Sequence, residues 1–261
     1  MSVPLELTGA SLAYGSRTVW SGLDLTVRPG DFVTVLGPNG SGKTSLLRAV
    51  LGLHPLTAGR LTLLGRPAVR GNQAIGYVPQ QRQIDTAVPV RARDLVALGL
   101  DGHRWGLGRR HRARVDDLLA AVGADVYADA PLSALSGGEQ QRVRIAQALA
   151  CEPALLLCDE PLASLDLRHQ RDVTALIADT RRTHGTAVVF VTHEITPVLP
   201  YTDTVLYLAP GGHAVGAPDE VLTSAQLTRL YGTPVDVLHV QGRIVIVGTD
   251  ETVHHATPER A

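Results

Sequence analysis

The sequence predicts an α/β fold in which helices flank a buried parallel sheet, with an antiparallel β subdomain beside it and a helical insert in the middle. Three observations predict it. The short apolar runs DFVTVLG (31–37), ALLLCDEP (154–161) and AVVFVTHE (187–194) read as strands buried on both faces, as parallel sheets require. LELTGASLAY (5–14) and TVWSGLDLTV (18–27) alternate apolar and polar residues, the mark of half-buried antiparallel strands. From about residue 90 to 150 the pattern turns mostly helical, in VRARDLVALGL, RRHRARVDDLLAAVG and GEQQRVRIAQALA.

The remaining elements fit between these. LTLLG (61–65), IGYVP (75–79) and TDTVLYL (202–208) read as further short strands, and LRHQRDVTALIADTRRTHG (167–185) as the helix between two buried strands. PVDVLHVQGRIVIVG (234–248) reads as two strands about a Gln-Gly turn, and ETVHHATPERA (251–261) as a polar tail. No internal repeat is visible.

Composition excludes several classes. The chain has 261 residues, 44% of them hydrophobic, enough to bury a large core, and a formal charge of -1 that gives no basic excess for nucleic acid. Its apolar runs are far shorter than the roughly 18 to 20 residues of a membrane-spanning helix. The start, MSVPLELTGA, lacks the basic and apolar regions of a signal peptide. The two cysteines, Cys151 and Cys158, suit a reducing compartment, and Cys158 in its apolar run reads as a small buried hydrophobe.

One residue type is used once. Of the 24 basic residues, 23 are Arg and one is Lys43. It sits in LGPNGSGKTSLL, where Gly37, Pro38, Asn39, Gly40, Ser41, Gly42, Lys43 and Thr44 fit G-x-x-x-x-G-K-[ST] between a predicted strand and a predicted helix. This is the context of a P-loop NTPase core. Glycines let backbone N–H groups turn inward around phosphate oxygens, and the helix N-terminus adds partial positive charge behind them. A compact ammonium reaches the β- and γ-phosphates where a planar guanidinium needs a different cradle. Thr44 offers a hydroxyl to Mg2+, and Ser45 completes the candidate nucleotide-binding run.

Two carboxylates end a buried strand in ALLLCDEP. There Asp159 is placed to hold Mg2+ and Glu160 to act as general base on the attacking water. His193, at the end of the next strand, is placed for a γ-phosphate contact. LSGGEQQR (135–142) sets Ser136, Gly137 and Gly138 at a helix N-terminus, a second anion site too far along the chain to be another phosphate loop.

With GPNGSGKT, GYVPQ, LSGGEQQR, LLLCDEP, ASLD and VTHE in this order, the chain resembles the ATP-binding subunits of ABC transporters over about residues 3–230. The resemblance implies that Ser136, Gly137 and Gly138 cap the γ-phosphate bound by a second copy in an ATP-bound dimer. It also implies that Gln80 touches Mg2+ and the water, that Asp166 couples the two sites, and that Tyr14 stacks on adenine. Taken alone, Tyr14 is equally a strand-end core or interface aromatic. The domains expected are an ABC-type ATP-binding domain over 1–233, with a helical subdomain at about 85–150, and a C-terminal hairpin and tail over 234–261.

The segments GYVPQQRQIDTAVPVRARDLVALG and LYGTPVDVLHVQGRIVIVG are similar to those of the zinc and manganese importer group. The implied partners are integral-membrane permease subunits and, through them, an extracytoplasmic substrate-binding protein, with the chain peripheral on the cytoplasmic face of the membrane. A siderophore, haem or other small-solute cargo stays open, as does a soluble ATPase acting on nucleic acid or ribosomes. Against the latter, the chain carries one set of motifs and no sustained heptads. His103, His111, His254 and His255 suggest metal binding, but cargo metal would pass through the permease and a charged tail is the plainer reading; the basic stretch 103–114 reads either as a permease- or lipid-facing patch or as a solvated helix face. The lone lysine yields a prediction: Lys43→Arg keeps the charge yet impairs ATP turnover, and steady-state hydrolysis at the wild-type rate would rule out the ammonium-specific cradle.

Overall fold

The computed structural model describes residues 2–80, 90–101, 111–163, 165–240 and 243–248. The first residues of the expected insert, most of the basic stretch 103–114, the Gln-Gly turn and the histidines of the tail lie outside them. Along the chain run β1 (Leu5–Tyr14), β2 (Arg17–Val27), β3 (Phe32–Leu36), α1 (Lys43–Val50), β4 (Ala58–Leu63), β5 (Arg66–Pro67) and β6 (Ile75–Val78). Then come α2 (Ala92–Asp101), α3 (Arg112–Ala121), α4 (Gly137–Leu149), β7 (Leu155–Asp159), α5 (Leu167–His184), β8 (Ala187–Val191) and β9 (Thr204–Ala209). The last are β10 (Gly212–Gly216), α6 (Pro218–Val221), α7 (Ser224–Tyr231), β11 (Val235–Val240) and β12 (Arg243–Gly248).

β3, β7 and β8 bury every residue, which is why their sequences are apolar without alternation. They lie in a sheet of order β10-β9-β3-β8-β7-β6, parallel from β9 to β6, with β10 antiparallel on the edge. β1 and β2 alternate buried and exposed residues over much of their length and join β4 and β5 in an antiparallel sheet, as expected. The helical segment α2 to α4 is inserted between β6 and β7, which are neighbours in the parallel sheet. Its last helix, α4, packs on α2 and α3 and also on β6 and α5, so it joins the insert to the sheet.

The pleat sorts the core into two clusters. Val33 and Val35 of β3, Leu155 and Leu157 of β7, and Val189 and Val191 of β8 pack with Leu46 and Leu47 of α1 and with β1, β2 and β4. Their neighbours Phe32, Leu36, Leu156, Cys158, Val188 and Phe190 point the other way, toward α2 to α5 and α7. Cys158 is fully buried as expected, and burial pushes its thiol pKa up. α1 is thereby held between the two sheets.

Local signals set the helix ends. The Asp166 side chain accepts from Arg168 N–H and His169 N–H to start α5, and Gly185 at φ 66° ends it, with Arg181, Arg182 and His184 in the last turn matching the helix dipole. Residues 210–232 carry β10, α6 and α7, which the sequence pattern had not marked. β10 reads GHAVG, with two glycines and no strong alternation, and α7 is only eight residues long.

Phe32 and Phe190 stack with centroids 5.6 Å apart, each fully buried between β3 and β8. Phe190→Ala should cost about 3–5 kcal/mol, read in urea as a lower midpoint at unchanged slope. A midpoint equal to that of the wild type would mean the pair does not hold the sheet to its helices.

Candidate active site

Four neighbouring parallel strands, in the order β3-β8-β7-β6, end at one edge of the sheet, and each feeds one piece of the site. β3 runs into the Gly-rich loop, β8 into His193, β7 into Asp159 and Glu160, and β6 toward Gln80. The sequence-predicted residues Gln80, Glu160 and His193 meet there. Gln80 Nε2 donates to Glu160 Oε2 at 2.8 Å, and His193 Nδ1 stands 3.8 Å from Glu160 Oε1.

The loop is folded by contacts only glycine permits. At Gly37, φ 142°, an added Cβ would lie 2.0 Å from the Leu208 carbonyl oxygen of β9. At Gly42, φ 97°, it would lie 2.3 Å from Val19 Cγ1, so β2 buttresses the loop. Lys43, only 5% exposed, donates from Nζ to the Gly37 carbonyl at 2.7 Å and the Pro38 carbonyl at 3.0 Å. Burial lowers its pKa, opposed by the negative charges of Glu160 and Asp159. The Ser41 hydroxyl oxygen is buried with no partner. A nucleoside triphosphate fits these features: an inward ammonium, an orphaned hydroxyl and a glycine-rich loop at a helix N-terminus. Thr44, the next residue of α1, is exposed.

Asp159 is 4% exposed and receives a hydrogen bond from Tyr77 at 3.3 Å. Burial raises its pKa, and the neighbouring Glu160 charge adds to this, against the lowering effects of Tyr77, Arg48 and Lys43. Glu160 sits at φ 48°, an unfavourable backbone for a residue with a Cβ, pinned by its N–H to the Val191 carbonyl at 3.0 Å. A cleft of about 930 Å3 opens here, lined by Pro38, Asn39, Gln80, Glu160 and His193 and, on the other side, by Tyr231, Val235 and Ile246.

Other predicted residues lie elsewhere. Ser136 caps α4: its N–H and hydroxyl both donate to Glu139 Oε2, at 2.8 and 2.7 Å, and these bonds hold the Glu139 carboxyl below its ordinary pKa. The sequence reading passed over Glu139, although S-x-x-E is a capping-box pattern. Gly138 faces the His169 ring, whose Cδ2 would be 3.1 Å from an added Cβ, and His169 Nδ1 bonds Asp166 Oδ2 at 2.8 Å. Gly137 is the first residue of α4. Tyr14, 42% exposed, meets His54 edge-on at 4.6 Å, and its hydroxyl donates to Ser45 Oγ at 3.3 Å. Neither Tyr14, Ser136 nor Asp166 lines the cleft.

The ABC transporter family profile matches residues 20–163, a span that includes the Gly-rich loop, the α4 cap and Asp159-Glu160. The chain belongs to the ABC transporter family. Its relatives include the zinc import ATP-binding protein ZnuC of Halorhodospira halophila, 38% identical over 230 residues, 88% of this chain and 83% of that protein. The zinc transport system ATP-binding protein TroB of Treponema pallidum is 32% identical over 255 residues, 97% of this chain and 94% of that protein. Among solved structures, a putative metal-chelate type ABC transporter in an inward-facing conformation superposes with TM-score 0.78 at 27% identity, covering 94% of this chain and 96% of that one. CbiO1 of Clostridium perfringens, part of the transporter complex cbiONQ, gives 0.76 at 26%, covering 88% and 94%. This ABC subunit is thus an ATP-binding protein, and among its described residues no helix is long and apolar enough to cross a membrane.

Because burial raises the Asp159 pKa, its ionised form at neutral pH weakens the fold. Asp159→Asn should therefore raise the nucleotide-free melting temperature at pH 7 to 8. The gain should fade as the pH falls through the raised folded-state value toward the ordinary aspartate value of about 3.9, and be gone below it, where folded and unfolded forms both bind the proton. A lower melting temperature at neutral pH would show that the carboxylate is held by compensating contacts instead.

Proposed function

We propose that this ABC subunit hydrolyses ATP to drive integral-membrane permease subunits, and that the cargo is zinc or a related divalent metal cation such as manganese. The observation that carries the ATPase reading is the convergence of Lys43, Asp159, Glu160, Gln80 and His193 at the carboxyl ends of neighbouring parallel strands. In this reading Gly37 to Ser45 cradle the phosphates and Tyr14 receives the adenine. Lys43 leaves its two carbonyl partners for the β- and γ-phosphates. Thr44, Gln80 and Asp159 would hold Mg2+, which supplies charge neutralisation for the phosphates when bound. Gln80 releases the Glu160 carboxylate, which takes a proton from the attacking water, and His193 steadies the γ-phosphate.

Ser136, Gly137 and Gly138 act on the nucleotide of a second copy, with Asp166 beside them. Their place at the N-terminus of α4, a helix of the insert and not one of the strand ends that build the cleft, supports that division. Residues 1–233 form the ATP-binding domain, with a helical subdomain at about 85–150 that meets the permease on the cytoplasmic face, and 234–261 form an appendage. An extracytoplasmic binding protein delivers the cargo through the permease. Zinc is supported by the names of the relatives; the likeness to a metal-chelate type transporter favours a chelated metal, such as a siderophore or haem, as second reading.

Glu160→Gln should lower turnover on the order of 10^2 to 10^4-fold while ATP still binds, and the variant should dimerise with MgATP. Wild-type hydrolysis, or a monomer by light scattering at saturating MgATP, would overturn the assignment. For the cargo, deletion of the gene should slow growth under zinc chelation and be rescued by added zinc; rescue by a siderophore or haem alone would favour the second reading.

A further inference from the structure

Past the end of β8 the chain is lightly held. Thr192 N–H donates to the Val35 carbonyl at 3.1 Å, and the Thr192 hydroxyl closes a small turn with Glu194 N–H at 3.1 Å. The next backbone bond runs from Val198 N–H to the Ile195 carbonyl at 3.0 Å. Between them the His193 side chain is 55% exposed, with its ring 3.8 Å from the Glu160 carboxylate. A group that must meet a phosphate within a few tenths of an ångström needs its backbone fixed by something other than these bonds.

The segment alternates. His193 and Ile195 line the 930 Å3 cleft, whereas Glu194 and Thr196 line a second groove of about 760 Å3. β12 alternates in step with it: Ile246 lines the cleft and Val245 lines the groove. Residues 193–196 and β12 thus share the linings of both spaces, with one side chain of β12 on each. Ile244 and Ile246 also pack against the buried cluster that contains Ile195, which fixes the strand to the core. Val247, the next residue, is 46% exposed and lines neither space.

We infer that the C-terminal hairpin is a brace for the His193 segment, and that Ile246 and Val245 are positioning residues for hydrolysis. The inference rests on the reading of His193 as a phosphate contact. The hairpin leaves nucleotide capture to the Gly-rich loop and acts through the placement of His193.

The test compares turnover with ATP affinity in full-length variants whose melts show a folded chain. Ile246→Ala should lower kcat on the order of three- to tenfold while ATP affinity stays within about twofold, Ile246→Val should recover most of the rate, and Val247→Ala should match the wild type. His193→Ala is measured beside them. In that background Ile246→Ala should cause no further loss, because it acts through the missing imidazole.

Wild-type kcat in Ile246→Ala with an inactive His193→Ala overturns the brace alone. So does a parallel loss of ATP affinity, or an additive loss in the double variant. Wild-type turnover in His193→Ala overturns the reading of His193 and the brace with it. Should Ile246→Ala not fold, Val245→Ala tests the groove side: reduced kcat with affinity kept supports the brace, and an unchanged kcat overturns it.

Discussion

The site depends first on the register of four parallel strands. Val35 of β3 pairs with Val191 of β8, Asp159 of β7 pairs with the same Val191, and Val78 of β6 pairs with Cys158. These pairings bring the strand ends level, so that the Gly-rich loop, His193, Asp159-Glu160 and Gln80 emerge at one edge. A slip of one residue between β7 and β8 would exchange the faces of the sheet. Cys158 and Phe190 would leave the cluster beneath the helices, and Asp159 would turn away from the loop. Burial of both faces forbids the slip, since the cost of inverting two apolar strands far exceeds any single contact in the site. The apolar core therefore sets the position of the charged groups.

The charged groups in turn sit where the fold alone would not choose to put them. Lys43 is desolvated and satisfied by two carbonyls, Asp159 is buried where its charged form is disfavoured, Glu160 occupies a left-handed backbone, and Ser41 Oγ has no partner. Each is a local cost in the unliganded chain. A Mg2+-bound nucleotide would relieve several together: its phosphates would give the ammonium an anion and the hydroxyl a partner, and its Mg2+ would offset the acidic charge. The binding energy of the nucleotide is spent on a geometry that the surrounding β2, β8 and β9 contacts already enforce.

Much of this was legible in the sequence. The P-loop pattern, the carboxylates ending an apolar run and the histidine ending the next needed only local chemistry and a parallel sheet to be brought together. The antiparallel sheet and the helical insert followed from periodicity. What failed to show were features set by distant contacts. His54 beside Tyr14, His169 under Gly138 and the cleft lining shared by Ile246 and His193 join parts of the chain that share no local pattern. The hairpin itself was visible as two strands, but alternation says which residues share a face and not which surface that face will meet. β10 and α7 were missed because a glycine-rich strand and an eight-residue helix carry little propensity of their own and are formed by packing, β10 on β9 and α7 on β10 and β11.

The same contacts give the proposed dimer a physical route between its parts. After Glu160 the chain makes a turn in which Ala163 N–H bonds the Glu160 carbonyl at 3.1 Å and Leu162 is buried. Asp166 caps α5 through two backbone N–H groups and also holds His169, whose ring lies against Gly138 at the start of α4. A displacement of the α4 cap would thus press on a ring hydrogen-bonded to the cap of α5. Glu160 itself is held at φ 48° by its bond to the Val191 carbonyl, so its carboxylate depends on the chain on both sides keeping that backbone in place. Pressure from a second copy on Ser136 and Gly138 would in this way be felt at the carboxylate that accepts the proton, without any contact between the partner and Glu160 itself.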